Sequence, residues 1–252
     1  MDERLWYLKR CPLFERLSPE QSADIERTSR VRRVPRGEIV FAPGEASESV
    51  YLVLDGRIKL YHLTAGGKEA VLAFIDPGEL FGELSVLDGA PREEFAEAIE
   101  RSQVLSIPVP VFQTLMAEYP DIALGVTKLV GLRRRRIERR LKSLLFRSNR
   151  DRLVALLLEL AEKYGRRTGD GIELGLRLSH QELANVIGST RETVTVTLGE
   201  LKQEGALTIQ RRKITLKQLE RLARSVDIPA PRLQDDSSTS IRILPRTATG
   251  PG

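Results

Sequence analysis

The residues with the most specific chemistry lie in Leu178-Ser179-His180-Gln181-Glu182-Leu183-Ala184-Asn185-Val186-Ile187-Gly188-Ser189-Thr190-Arg191-Glu192-Thr193-Val194. Arg191 and Glu192 are adjacent, with Thr190, Thr195 and Val196 close by. An arginine can donate a bidentate pair of hydrogen bonds to a guanine edge, and a glutamate can accept from a cytosine amino group. One good pair discriminates against the wrong base by about 1–3 kcal/mol. The chemistry on offer is base reading rather than bond making. Each residue also has a plainer reading: Glu192 as a helix cap, Arg191 as a solvated surface charge.

Base reading needs a rigid platform. Ser179 and Glu182 are three apart and make a capping box that opens one helix. Leu183, Ala184 and Ile187 give that helix an apolar face, and Gly188 permits a sharp turn. Ser189 and Glu192 repeat the spacing, so a second capping box is expected to open a second helix, with Val194 and Leu198 inward. Two helices joined by a glycine turn, with small Ala184 at their crossing, form a helix-turn-helix. The N-terminal residues of the second helix are those that reach base edges in the major groove. Leu207–Gln210 and Ile214–Leu216 read as two short strands around Arg211-Arg212-Lys213, a basic-tipped wing. Arg211, Arg212 and Lys213, with Ser179, His180 and Ser189, are expected on phosphates, where they add affinity and salt dependence but no sequence reading.

The charge distribution agrees. Residues 1–120 hold 14 Lys/Arg and 20 Asp/Glu, net −6; residues 121–252 hold 26 and 15, net +11. The acidic front and basic back suggest that the back half meets a polyanion. The chain has 252 residues, 41% hydrophobic and 30% charged, the composition of a soluble globular protein. No run of about 18 apolar residues is present, and the charged start lacks a secretory signal; a cytoplasmic location is expected. One cysteine, Cys11, excludes an intramolecular disulfide and a cysteine-held iron–sulfur cluster. Two histidines, His62 and His180, leave little for haem ligation. No phosphate loop, GxGxxG after a strand or HExxH occurs, so neither an enzyme nor a metal site is expected.

Four sections follow along the chain, an α+β organisation. Residues 1–120 form an N-terminal domain. Ser18-Pro19-Glu20-Gln21 reads as a capped helix start. Short apolar runs from Ile39 to Ile107 then alternate with turn signals, which predicts a small β-roll. Ala42-Pro43-Gly44-Glu45 and Asp76-Pro77-Gly78-Glu79 fit type II turns, and Leu54-Asp55-Gly56-Arg57 signals a two-residue hairpin with both central residues at positive φ. Residues 121–147 form a long helix. Ile122, Val126, Leu129, Ile137, Leu141 and Leu144 make a heptad-like seam if Arg133 fills the missing position, and a parallel homodimer is its simplest partner. Packing on its own roll, or lying on an anionic membrane by its arginines, are the alternatives; the narrow apolar stripe argues against a membrane. Residues 148–226 form the helix-rich back domain, and residues 227–252, with four prolines and no periodicity, read as a disordered tail.

This order of parts resembles the CRP/FNR transcription regulators over about residues 10–225. The specific motifs are Phe81-Gly82-Glu83-Leu84 followed by Pro91-Arg92, and Gly188-Ser189-Thr190-Arg191-Glu192-Thr193-Val194. Gly37, Gly44, Gly56 and Gly78 also fall at the family's roll turns. The resemblance implies a jelly-roll-like sensor domain, a dimerisation helix and a winged helix-turn-helix. It implies a homodimer on a palindromic DNA site, with RNA polymerase as a further partner. A third reading position, often Arg in the family, is Val196 here, so the target site should differ.

In cyclic-nucleotide-binding members the resemblance implies that Gly82, Glu83, Leu84 and Arg92 surround the ligand. Here Glu93 and Glu94 follow Arg92, where a small or hydroxylated residue is usual. Like charges at 4 Å cost about 4 kcal/mol at an effective dielectric of ~20. A carboxylate at these positions is expected to repel a phosphate, or Glu93 is expected to pair with Arg92 and neutralise it. Ile137 and Glu138 stand where the family's adenine-contacting Thr/Ser pair falls. Cyclic AMP is therefore disfavoured, and another small ligand or none is left open. A sensor acting only through protein partners is the rival class, but it needs neither the capped helix pair nor the basic wing.

Overall fold

The computed structural model describes residues 11, 13–15, 17–210 and 213–233. Helix α1 (Pro19–Thr28) begins where its sequence dictates: Ser18 Oγ accepts from the Gln21 N–H at 3.2 Å, and the Gln21 side chain accepts from the Ser18 N–H at 2.7 Å. The roll follows as β1 (Arg30–Val34), β2 (Ile39–Phe41), β3 (Ser49–Asp55), β4 (Ile58–Leu63), β5 (Glu69–Ile75), β6 (Leu80–Phe81), α2 (Leu84–Asp88), β7 (Phe95–Ala98) and β8 (Ser102–Pro108). These strands pair antiparallel in two four-stranded sheets, ordered β1-β8-β3-β6 and β2-β7-β4-β5. Val34, Phe41, Val53, Ile58, Ile75 and Phe81 are buried together in one core cluster that draws on both sheets.

The Asp55-Gly56 hairpin is corrected. β3 and β4 lie in different sheets and do not pair. Only Gly56 has positive φ, at +78°. The turn carries the chain across the roll, and Ser102 Oγ accepts the Arg57 N–H at 3.0 Å. A Cβ at Gly56 would lie 2.4 Å from that oxygen. The glycine is required by the crossing rather than by a hairpin.

After α3 (Val109–Glu118) comes α4 (Pro120–Phe146), 27 residues long. Its faces differ from the expected seam. Ile122, Val126 and Leu129 are buried against the chain's own roll, with Cys11, Phe14, Leu52 and Phe112. Arg133, the gap in that seam, points the same way and binds Glu83. Ile137 and Leu141 are 47% and 55% exposed, and Leu124, Leu144 and Leu145 are exposed too. A long helix has room for two apolar stripes, and the roll occupies one of them. Among the described residues no helix is long and apolar enough to cross a membrane.

The back of the chain comprises α5 (Asn149–Tyr164), β9 (Gly165–Thr168), β10 (Gly171–Leu174), α6 (His180–Ile187), α7 (Arg191–Gln203), β11 (Leu207–Gln210), β12 (Lys213–Leu216) and α8 (Leu219–Ser225). β11 and β12 pair as expected for a wing, and they extend into a four-stranded sheet ordered β11-β12-β10-β9. The β9–β10 hairpin was not foreseen in a stretch read as helix-rich. The tail reading is also corrected in part: Ile228 and Leu233 pack against the back domain's core, while residues 234–252 lie outside the described residues.

Front and back share a core. Tyr61, Val71 and Phe74 of the roll join the cluster that holds Leu157, Leu183 and Leu198. Polar groups stitch the same junction. Buried Asp76 accepts from Arg57 Nε at 2.5 Å and from the Tyr164 hydroxyl at 2.8 Å, and it pairs with Lys163. Asn185 Nδ2 donates to Glu69 at 3.1 Å, and Arg140 Nη1 donates to the Leu72 carbonyl at 2.8 Å. Burial alone would raise the Asp76 carboxyl; Lys163 and Arg57 overcome it and hold the carboxyl below its usual range. Its stabilising contribution is then fully present above the unfolded value of about 3.9 and is lost as pH falls through the lower folded value. Removing one member of a buried pair strands its partners. Asp76→Ala is expected to cost about 3 kcal/mol in denaturant unfolding at neutral pH, with the difference from wild type shrinking as the buffer is taken well below pH 4.

Candidate functional site: nucleic-acid interface and effector pocket

The helix-turn-helix is built by local rules. Ser179 Oγ accepts from the Glu182 N–H at 3.2 Å, and Glu182 accepts from the Ser179 N–H at 2.6 Å, the expected capping box. Gly188 ends α6 in the left-handed region. The second cap differs from expectation. Thr190, not Ser189, caps α7, its hydroxyl accepting from the Thr193 N–H at 3.2 Å. Ser189 is held in the turn by its N–H, which donates to the Ala184 carbonyl at 3.0 Å. The shift of one residue frees Glu192 from the cap. It leaves Arg191 and Glu192 as the first two helical residues, where orphan N–H groups favour an acceptor.

α7 buries Val194, Thr197, Leu198 and Leu201 against the back domain's core. Its opposite face presents Thr190, Arg191, Glu192, Thr195 and Val196 to solvent. His180, at the first position of α6, places Nδ1 2.8 Å from Thr195 Oγ1. Ser179 is exposed beside it. Lys213 is engaged in an ion pair with Glu173 at 2.9 Å, so its charge is shared with the sheet. Arg211 and Arg212, the other wing cations, lie outside the described residues.

In the roll, Gly82, Glu83 and Arg92 converge while Leu84 and Glu93 face outward. Arg92 is only 3% exposed. Its Nη1 donates to the Gly82 carbonyl at 2.5 Å, its Nη2 donates to the Ser49 carbonyl, and its guanidinium lies 4.3 Å over the Phe41 ring. Gly82 makes that approach possible: a Cβ there would stand 2.7 Å from Arg92 Nη1. Glu83, 1% exposed, takes Arg133 Nη1 at 2.5 Å on one oxygen; its Oε2 has no hydrogen-bond partner among the described residues.

The expected Glu93–Arg92 pairing is not formed. Glu93 is exposed, and its carbonyl lies 3.1 Å from His62 Nδ1. In the bend before β7 the next residue turns inward instead, and Glu94 is 8% exposed. Burial, then the Glu83 charge, push the Glu94 carboxyl up; burial likewise lowers Arg92. Among the described residues no hydrogen bond or ion pair joins Ile137 or Glu138 to Glu83 or Arg92. Ile137 is exposed, and Glu138 pairs with Arg134 at 2.9 Å. Arg133 is the pocket residue that sequence reasoning missed. The signal for Arg133 was its charge at an apolar seam position. Cys11 is fully buried in the roll core, its thiol pushed up to about 12 by burial.

Two family descriptions match these two halves: a cyclic nucleotide-binding domain over residues 31–119 and a Crp-like helix-turn-helix domain over residues 151–225. A global nitrogen regulator from Synechococcus elongatus is 34% identical over 189 residues, 74% of this chain and 85% of that one. The chain belongs to the CRP/FNR family of transcriptional regulators. It is also similar to a CRP-like cAMP-activated global transcriptional regulator from Mycobacterium tuberculosis, 29% identical over 89% of this chain and 99% of the relative. Among solved structures, a CooA mutant from Carboxydothermus hydrogenoformans superposes with a TM-score of 0.73 at 27% identity, covering 90% of this chain and 97% of that one. The protein is accordingly a CRP/FNR-type, DNA-binding transcriptional regulator with a cyclic-nucleotide-binding-like roll. CRP-like helix-turn-helix regulators bind DNA and usually act as dimers.

Within this family fold the buried carboxylate pair is a local cost. A carboxyl whose folded value is raised destabilises above that value and is neutral below the unfolded one, about 4.3 for Glu. Glu94→Gln is expected to raise the melting temperature by a few degrees at pH 7.5, with the gain vanishing as pH falls toward 4, measured by scanning calorimetry.

Proposed function

We propose that the chain regulates transcription as a homodimer on a palindromic duplex, with α7 reading bases and the roll holding a pocket no longer suited to a cyclic nucleotide. The observation that carries the first part is the cluster of Arg191, Glu192, Thr195 and Val196 on the solvent face of α7, on the side away from its core contacts. Arg191 and Glu192 supply polar readout, and Val196 offers apolar contact to a thymine methyl. Thr190 supports from the cap. Ser179, His180, Ser189 and the wing residues Arg211, Arg212 and Lys213 hold the backbone. Residues 1–120, 121–147 and 148–226 serve as effector domain, dimerisation helix and DNA-binding domain. A cytoplasmic location and RNA polymerase as a further partner belong to the same reading.

The homodimer is supported by the outer stripe of α4. Ile137, Leu141 and Leu145 repeat every four residues, and all are exposed in the single chain. A stripe of large apolar side chains on one helix calls for a covering partner. Leu141→Asp is expected to give a monomer by light scattering and to weaken palindrome binding far more than half-site binding.

The pocket reading is supported by three contacts and one buried charge. Two of the five Arg92 N–H donors go to the Gly82 and Ser49 carbonyls, Glu83 is held by Arg133, and Glu94 adds a second buried carboxylate. An incoming phosphate would find the cation partly engaged by carbonyls and a like charge nearby. The residues present do not fit a cyclic phosphate. The name of the Mycobacterium relative favours the other reading, a cyclic-AMP-dependent regulator.

Selection of bound duplexes from a random pool, with and without cyclic AMP, separates the readings. Enrichment of one palindrome in both conditions supports the proposal. Enrichment only with the nucleotide overturns the pocket reading. On the selected site, Arg191→Ala is expected to remove about 1–3 kcal/mol of discrimination at one base pair per half-site. Arg212→Ala is expected to weaken all sequences alike and to reduce the salt slope by about 1. Uniform loss from both variants would remove the base-reading role of Arg191.

A further inference from the structure

Thr195 stands one turn after Arg191 on the solvent face of α7, and its hydroxyl oxygen has two close neighbours. The Arg191 carbonyl oxygen is 2.8 Å away, and His180 Nδ1 is 2.8 Å away. A carbonyl can only accept, and a threonine hydroxyl has one proton. That proton must go to the Arg191 carbonyl. The alternative turns it toward His180 and leaves two oxygens lone pair to lone pair at hydrogen-bond distance. Nδ1 of His180 is then the donor, and Thr195 Oγ1 has only a remaining lone pair to offer outward.

We propose that His180 is a positioning residue that fixes Thr195 as a hydrogen-bond acceptor on the reading face of α7. The inference rests on α7 being the base-reading helix. In the major groove, adenine N6 and cytosine N4 carry amino donors, whereas guanine N7 and O6 and thymine O4 only accept. A serine or threonine with a free hydroxyl can meet either kind of edge. With its proton committed inside the helix, Thr195 can meet only the amino kind. The base opposite Thr195 in each half-site is therefore adenine or cytosine. His180 does this without touching a base; it links the first turn of α6 to the second turn of α7 through one hydrogen bond.

The test is selection from a random-sequence duplex pool by the full-length chain and three variants. Wild type is expected to enrich adenine or cytosine over guanine by about fivefold at one position per half-site, the size of one net hydrogen bond. Thr195→Val keeps shape and methyl but loses the acceptor, and it should erase that preference while the Arg191 position stays sharp. His180→Ala should relax the same position toward all four bases, because the hydroxyl can now rotate. His180→Asn, which restores an N–H donor, should restore the preference. Guanine or thymine at the position that Thr195→Val erases would overturn the proposal, as would a His180→Ala profile identical to wild type. A wild-type palindrome whose profile Thr195→Val leaves unchanged overturns this inference alone. No enriched sequence from wild type overturns the base-reading assignment, and this inference with it.

Discussion

The placement of the DNA-binding half on the sensor roll turns on one buried carboxylate. Asp76, at the end of β5, gathers Arg57 from the roll and Lys163 and Tyr164 from α5. Arg57 also lies 4.8 Å over the Tyr164 ring, so the cation faces both the carboxylate and the aromatic face. A buried carboxylate is costly unless paired and hydrogen-bonded. Here each partner supplies donors from a different part of the chain, and satisfaction of the charge requires the two halves to stay docked. The apolar contacts of Tyr61, Val71 and Phe74 make the junction cohesive. Asp76 makes it specific in orientation, because hydrogen bonds fix direction where apolar contact does not.

α4 connects this junction to everything else. Ile122, Val126 and Leu129 anchor its start in the roll, Arg133 reaches Glu83, and Arg140 caps β5 carbonyls near the docked helix-turn-helix. The same helix thus touches the pocket, the junction and the exposed stripe. Any change in how Glu83 is satisfied acts on a helix that also carries the surface proposed for dimerisation. Arg133 and Ile137 are one turn apart on that helix.

The pocket shows how the path of the chain into β7 decides chemistry. Glu93 and Glu94 are equivalent as sequence neighbours of Arg92. In the roll, one faces water and the other faces Glu83. Glu94 is therefore the carboxylate that is buried beside Glu83. Among the described residues no ion pair within 4 Å holds Arg92; backbone carbonyls and an aromatic face do, with Glu94, Glu83 and Glu45 acting on it at longer range.

Much of the fold and part of the site were legible because their causes are local. The Ser18–Gln21 and Ser179–Glu182 capping boxes, the left-handed glycines at the roll turns and the wing strands each depend on residues within a few positions. The order of roll, long helix and winged helix-turn-helix followed from those signals and from the charge asymmetry. The one-residue slip from Ser189 to Thr190 is the usual limit of such reasoning, since both hydroxyls suit a cap. What only the tertiary structure decided involves partners far apart in sequence. The Asp55-Gly56 turn crosses between sheets because of where β8 lies, and the stripe of α4 that is buried depends on which face meets the roll. Arg133 meets Glu83 across 50 positions, Asp76 meets Tyr164 across 88, and His180 meets Thr195 across two helices. Residue types and spacing determine which elements form and which groups they offer; only the packed chain determines which offered groups meet, because burial, pairing and hydrogen-bond direction are set by neighbours that sequence distance does not reveal.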